Sequence, residues 1–487
     1  MRFCAALPLT EIRIRINSTA VLRDQLRHLY IMSMKSEGLN YLEGSILKTL
    51  LITGISMIPA TLAMSLFNIV DTFFVGKLGT AALSAMGFCF PIVGIVSCLH
   101  HGLSTAIMAL LSHALGRGDK ADAARMIAHG MGFTVIVSLL IGVLGAIFVR
   151  PLCALWIETP EVLDFVCQFM QIWFLGSFTI ALGLSSHKLV MAIGFPKLAA
   201  GWMIAALAVN VVLEPIFIFG LGPIPALEMY GAAIATVLAQ ALTPIGCLYI
   251  LNKKLDVFNA VVLNLRQFGQ SVVRILKFSI PTILGTLINP LAGFVMTTLS
   301  AHFGDETVAA MACESRLESI AFVVPMSIGM GLMPMIAQNY GAKQFERIEQ
   351  IRKLSMRFAG IFLFICAIIL NFAAVELVSL FSNDPGVIEL GARALRIISW
   401  SFLGQEIFRF GGFVYSGCNR PGVSAAFNMC KIFVFLIPSS MLCIPFENVN
   451  WLFYGRLIAE LSSCVIIVIA AKYFIRKSIR ENHASQP

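Results

Sequence analysis

The stretch GTAALSAM, residues 79–86, returns 225 positions later as GDETVAAM, residues 304–311. Two further pairs keep the same register. Gly116 of HALGRGDKADAAR answers Gly341 of QNYGAKQFER, and Pro196 of GFPK answers Pro421 of NRPG. Three well-separated matches at one offset are an internal duplication, so the chain is built from one unit used twice.

Composition says what the unit is made of. Of 487 residues, 58% are hydrophobic and only 13% charged, and mean hydropathy is +0.86. An average soluble domain carries roughly 25% charged residues. Apolar runs long enough for the roughly 20 residues that span a bilayer fall at 47–72, 82–109, 124–149, 162–190, 197–219, 230–252, 276–302, 306–334, 355–380, 389–416, 422–445 and 451–475. They are too long and too continuously apolar for barrel strands, which leaves helices as the way to satisfy backbone groups in lipid. The expected fold is an all-α polytopic membrane protein with about twelve transmembrane helices. Six spans separate the copies, an even number, so the two six-helix lobes share one orientation as a parallel repeat. Such lobes typically enclose a pathway near the midplane and work by rocking against one another. The expected division is an N-terminal cytoplasmic tail at 1–45, a first lobe at 46–254, an inter-lobe linker at 255–275, a second lobe at 276–476 and a C-terminal tail at 477–487.

Lys and Arg in the links orient the chain. With both termini cytoplasmic, the inner links hold Arg117, Lys120 and Arg125; Lys197; Lys253, Lys254, Arg266, Arg274 and Lys277; Lys343, Arg347, Arg352, Lys353 and Arg357; and Arg420. The outer links offer Lys77 and Arg150, with Arg393 and Arg396 near the outer end of the tenth span. This is the positive-inside pattern. It accounts for the net charge of +9 without nucleic acid as a partner; the expected location is a cell inner (plasma) membrane. Met32 and Met34 offer a second start just ahead of the first span. The twelve cysteines lack CxxC pairs and His companions at ligand spacing, and read as small buried hydrophobes.

A charge at the bilayer centre costs at least about 2.5 kcal/mol, so a retained one usually faces a cavity or a partner. Asp71 in SLFNIVDTFFVGKLG is such a charge, either capping the first span at the outer interface or serving an interior site. Pro59, about three turns earlier, frees the carbonyl of Ile55 and makes a hinge. In the fifth span Asn210 and Glu214 stand four apart on one helix face, and Pro215 frees the carbonyl of Val211, a second hinge position. Thr236 of the sixth span can add a hydroxyl. An amide, carboxylates and a loose carbonyl suit a proton shared between acids as well as a hard cation such as sodium; the residues leave both open. The positions 225 later are Met296, Phe435 and Ser439, so the acidic cluster belongs to the first lobe alone.

Other embedded charges read as structural pairs: Glu406 with Arg409, Arg456 with Glu460, and the group Glu314, Arg316 and Glu318. His100 and His101 read as packing residues. No HExxH, GxSxG or paired GxGD-type aspartates occur, so an enzyme is not expected, and neither is a resident cofactor.

PATLAMSLFNIVDTFFVGKLGTAALSAMGF, NVVLEPIFIFGLG followed by YGAAIATVLAQ, and PMIAQNYGAKQFERI resemble the multidrug and toxic compound extrusion (MATE) transporters, closest to the prokaryotic members, over residues 45 to 475. The resemblance implies a V-shaped cavity between two lobes and exchange of organic cations or amphipathic drugs for sodium or protons. It implies that Asp71 matches the first-helix acid used for cation coupling, and that Asn210, Glu214 and Thr236 match the first-lobe network of the DinF-like branch, where aspartate is common at the Glu214 position. His187 falls near a fourth-helix position often occupied by asparagine. The seventh-helix acid of other branches corresponds to Asn289, and the tenth-helix acid lands near Gln405, beside Glu406, which argues against coupling centred on the second lobe. A lipid-linked glycan flippase of the same broader superfamily is the alternative function, kept open by Arg316 and Arg409. A monomer in the bilayer is expected.

Overall fold

The computed structural model describes residues 38–259 and 264–484. The first 37 residues of the expected N-terminal tail lie outside the described residues, as do 485–487. Every regular element is helical, and one isolated bridge between Leu221 and Ile224 is the sole sheet-type pairing among the described residues.

Six helices form the first lobe: α1 (Ile46–Gly76), α2 (Thr80–Gly116), α3 (Lys120–Cys153), α4 (Pro160–Ala192), α5 (Pro196–Phe219) and α6 (Glu228–Leu255). The second lobe begins with α7 (Leu265–Ala301), α8 (Asp305–Gly341) and α9 (Phe345–Phe372). It continues with the short α10 (Ala374–Ser379), then α11 (Pro385–Ile398), α12 (Ser401–Gly417) and α13 (Pro421–Cys430). A π-turn (Lys431–Leu436), α14 (Ile437–Met441) and α15 (Asn450–Ala484) complete it. Helix starts follow local chemistry. Ser45 and Asp119 cap α1 and α3 through their side chains, and Pro160, Pro196 and Pro421 occupy first-turn positions, where a missing amide costs nothing.

Among the described residues eleven helices have the length and apolar composition to cross a membrane. The tenth span, 389–416, is not one continuous helix: α11 and α12 are separated by a turn at Ser399 and Trp400. The ninth stops at Phe372 rather than 380, with α10 following. Helices also overrun the apolar runs. α2, α7 and α8 have 37 residues each, about 55 Å at 1.5 Å per residue against roughly 30 Å of hydrocarbon. Much of the expected linker is therefore helix, because α7 already begins at Leu265 and carries Arg266 and Arg274 on its projecting end. Large apolar side chains such as Ile147 (62%) and Ile369 (57%) stand exposed on the outside, as a lipid-facing surface requires.

The lobes meet along α1 with α8 and along α2 with α7 and α8. Thr61 and Ser327 share a hydrogen bond of 2.8 Å across this seam. At the end rich in Lys and Arg the seam is shut. His113 Nε2 lies 2.7 Å from the Gly417 carbonyl, and Gln338 donates to the Ala192 carbonyl at 2.7 Å. The segment 38–45 straps this end: Tyr41 donates to the Met191 carbonyl of α4 at 2.9 Å and accepts from Asn339 of α8 at 3.0 Å. Arg347 donates to the carbonyls of Glu43 and Gly44 at 2.9 and 3.0 Å.

Candidate functional site

Four polar residues from three helices converge inside the first lobe. Asp71 on α1 faces Glu214 and Asn210 of α5 and Thr236 of α6. All four are buried, with Asn210 and Glu214 fully so. Asn210 donates to Glu214 Oε1 at 3.2 Å. Four oxygens remain buried without a hydrogen-bond partner: Asp71 Oδ1, Asn210 Oδ1, Glu214 Oε2 and Thr236 Oγ1. Buried acceptors left unpaired are costly and call for an explanation. Two facing carboxylates in a low-dielectric interior need a counter-charge, and a shared proton or a cation held by these oxygens supplies it. The converging donors are oxygens, the ligand type that hard ions and protons take.

Pro59 and Pro215 lie inside helices that run uninterrupted in this conformation. In the second lobe the helix corresponding to α5 is instead opened by the π-turn and Pro438. There Ser439 turns its hydroxyl onto the carbonyls of Phe435 and, at 2.9 Å, Gly455, so the equivalent of Glu214 serves its own backbone.

The second feature is a cavity of about 1110 Å³ between the lobes. Its first-lobe wall is α2 and α4, with Met64 of α1; its larger wall comes from the second lobe, with Met296, Met311, Met330, Met333, Phe408 and Phe413 among the apolar lining. Flexible thioethers adapt to varied ligands. The four-residue oxygen cluster does not line it. His187 lies on the cavity wall, with both ring nitrogens buried and unpartnered. Asn289 also lines it and accepts from Asn428 at 3.0 Å. Gln405 lines it too, donating to Glu318 at 2.9 Å and accepting from Arg456 at 3.3 Å. Glu406 is fully buried and paired with Arg409 at 2.6 Å.

The expected pairing of Arg456 with Glu460 is replaced. Arg456 bridges Glu314 at 3.2 Å and Glu318 at 2.6 Å, while Glu460 takes Lys431 at 3.1 Å. These partners lie far apart in sequence, and helix spacing gives no hint of them. Lys188, on the cavity wall, went unsingled in the sequence because a lysine near a helix end resembles any basic-end residue. His100 sits 3.2 Å from Ser138 Oγ, as a packing histidine would. All eleven described cysteines are free, so no disulfide framework holds them.

The profile of the MatE family matches residues 57–216 and 281–442, one stretch in each lobe. The chain belongs to the MatE family. This MatE chain is 30% identical to a protein of Shewanella oneidensis named FAD transporter, over 84% of the chain and 90% of that protein. It is 23% identical to the multidrug export protein MepA of Staphylococcus haemolyticus, over 93% of the chain and 99% of that protein. Among solved structures it is similar to the Vibrio cholerae MATE transporter VcmN in the bent form. There the TM-score is 0.83 and the identity 26%, covering 89% of this chain and 98% of that one. The MatE assignment makes the molecule a multi-pass membrane transporter, and the two lobes are the halves of its transport fold.

Proposed function

We propose that the protein is a secondary active exporter of the plasma membrane, with its basic end and both termini in the cytoplasm. It exchanges cytoplasmic organic cations or amphipathic drugs for external sodium or protons by alternating access. The observation that carries this is the set of four orphaned oxygens on Asp71, Asn210, Glu214 and Thr236, buried in the first lobe and separate from the cavity. Occupation of that set would bias α1, with Pro59 as its hinge, and so change the lobe seam that α1 makes with α8. A ligand shifts such an equilibrium only by its differential affinity for the two states.

Magnitudes limit the stoichiometry. One charge crossing 100 mV supplies about 2.3 kcal/mol, roughly a fifty-fold gradient of a neutral solute at 1.4 kcal/mol per decade. One-for-one exchange of monovalent cations is electrically silent, so a second ion or a chemical gradient must then drive export.

The test is efflux of a fluorescent organic cation from proteoliposomes under separate sodium and proton gradients. Loss of gradient-driven efflux in Asp71→Asn supports the reading, and wild-type rates in that variant overturn it. Export of a flavin dinucleotide is a second reading, favoured by the 30% identity to the Shewanella relative. A lipid-linked glycan flippase fits less well: of the two arginines that keep it open, Arg409 is tied to Glu406 and Arg316 does not line the cavity.

A further inference from the structure

Four cationic side chains reach the inter-lobe cavity: Lys188, Arg409, Lys431 and Arg456. Three are neutralised by carboxylates. Arg409 is held by Glu406, Lys431 by Glu460, and Arg456 by Glu314 and Glu318. Lys188 has no carboxylate partner among the described residues. Its Nζ is 2.9 Å from both Ser104 Oγ and Thr105 Oγ1, 3.4 Å from the His101 carbonyl and 3.2 Å from His101 Nδ1. It is 9% exposed, and that exposure opens on the cavity.

Neutral hydroxyls and a carbonyl solvate an ammonium in part but leave its charge uncancelled. A charge buried in a membrane protein without a counter-ion usually marks a ligand pathway. The neighbouring His187, buried with both ring nitrogens unpartnered on the same wall, adds polar capacity that nothing in the protein uses. The hydroxyls of Ser104 and Thr105 fix the ammonium at the wall, and Lys is a common point-charge partner for phosphate.

We propose that Lys188 is the anion-reading residue of the cavity, and that the transported solutes include amphipathic molecules carrying an oxyanion, a phosphate or a carboxylate. The ring or tail of such a solute packs on the Met and Phe of the second-lobe wall while its oxyanion meets Lys188 on the first. The inference rests on the cavity being the transport route, but it concerns binding and is tested by binding.

Flavins supply a fluorescent probe set differing in one group: riboflavin, riboflavin 5′-phosphate and a carboxymethyl flavin. Equilibrium titrations of the purified full-length protein in detergent would measure each. Wild type is expected to bind an anionic flavin at least about tenfold tighter than riboflavin, the scale of one charge-assisted hydrogen bond. Whichever anion gains identifies the oxyanion as phosphate, carboxylate or either. Lys188→Gln should erase that gain and leave riboflavin within about twofold, whereas Lys188→Arg should keep most of it. Equal wild-type affinities for neutral and anionic flavins would overturn the proposal, and that comparison needs no variant to fold. An equal loss for all three flavins in Lys188→Gln would also overturn it, since it would make Lys188 a prop for the wall. Failure of gradient-driven efflux in proteoliposomes counts against the antiport reading alone.

Discussion

Gly116 and Gly341, equivalent positions in the two repeats, pack against one another where the lobes close. A Cβ on Gly116 would sit 2.0 Å from the Gln338 carbonyl oxygen and 3.0 Å from the Gly341 Cα. One on Gly341 would sit 2.4 Å from the His113 carbonyl oxygen. The two copies of α2 and α8 thus meet backbone to backbone, and only glycine permits it.

Alanine at either glycine should wedge this end open. Overpacking of this kind costs about 1–3 kcal/mol, about a five- to 150-fold fall in the closed-to-open ratio. Cysteines placed at 61 and 327, whose hydroxyls meet across the seam at 2.8 Å, should cross-link readily in the parent and poorly in Gly116→Ala. Unchanged cross-linking would show that the seam yields elsewhere.

Asp71→Asn should separate stability from coupling. The substitution removes one of two facing buried carboxylates and its unmet demand for a counter-charge, so thermal stability in sodium-free buffer should hold or rise while gradient-driven transport is lost. A large fall in melting temperature would instead make Asp71 a structural residue.

Arg456→Met should be among the most damaging substitutions in the second lobe. It strands Glu314 and Glu318, and breaking a buried pair from one side costs about 3–5 kcal/mol. Adding Glu314→Gln and Glu318→Gln to the variant should restore much of the loss, as read by thermal unfolding in detergent. No rescue would assign the damage to lost packing.

Tyr41→Phe removes the bond from the 38–45 strap to Met191 while keeping the ring buried. The Met191 carbonyl keeps its bond from the Gly194 amide at 3.0 Å, so the loss is one net hydrogen bond, about 0.5–1.5 kcal/mol. Protease cleavage within the strap should therefore quicken by at least about twofold. Equal cleavage rates would show that Asn339, Arg347 and the Leu39 amide on the Gly194 carbonyl hold the strap without Tyr41.

Sequence told most where a residue violates its surroundings or recurs at a fixed offset. Asp71 and Glu214 stand out in apolar runs, and Asn210 and Glu214 advertise a shared face by their spacing of four. In the structure both face Asp71, a partner on another helix that the spacing itself does not name. The duplication was readable because turn-forming Gly and Pro tolerate few replacements. Contacts between distant helices left no such trace. Arg456 and Glu314 are 142 residues apart, and Arg456 has a nearer decoy in Glu460. The break in the tenth span carries no Pro or Gly at Ser399 or Trp400, so hydropathy alone runs straight through it.

The oxygen cluster belongs to one copy of the duplicated unit, and most of the cavity wall belongs to the other. A gene that doubles and then divides its labour in this way acquires an evolutionary freedom that the ancestral half lacked. Substitutions that reshape the methionine- and phenylalanine-lined wall leave the acids of the first copy untouched. The larger wall of the cavity can change by mutation in one half while the other half keeps its buried oxygens.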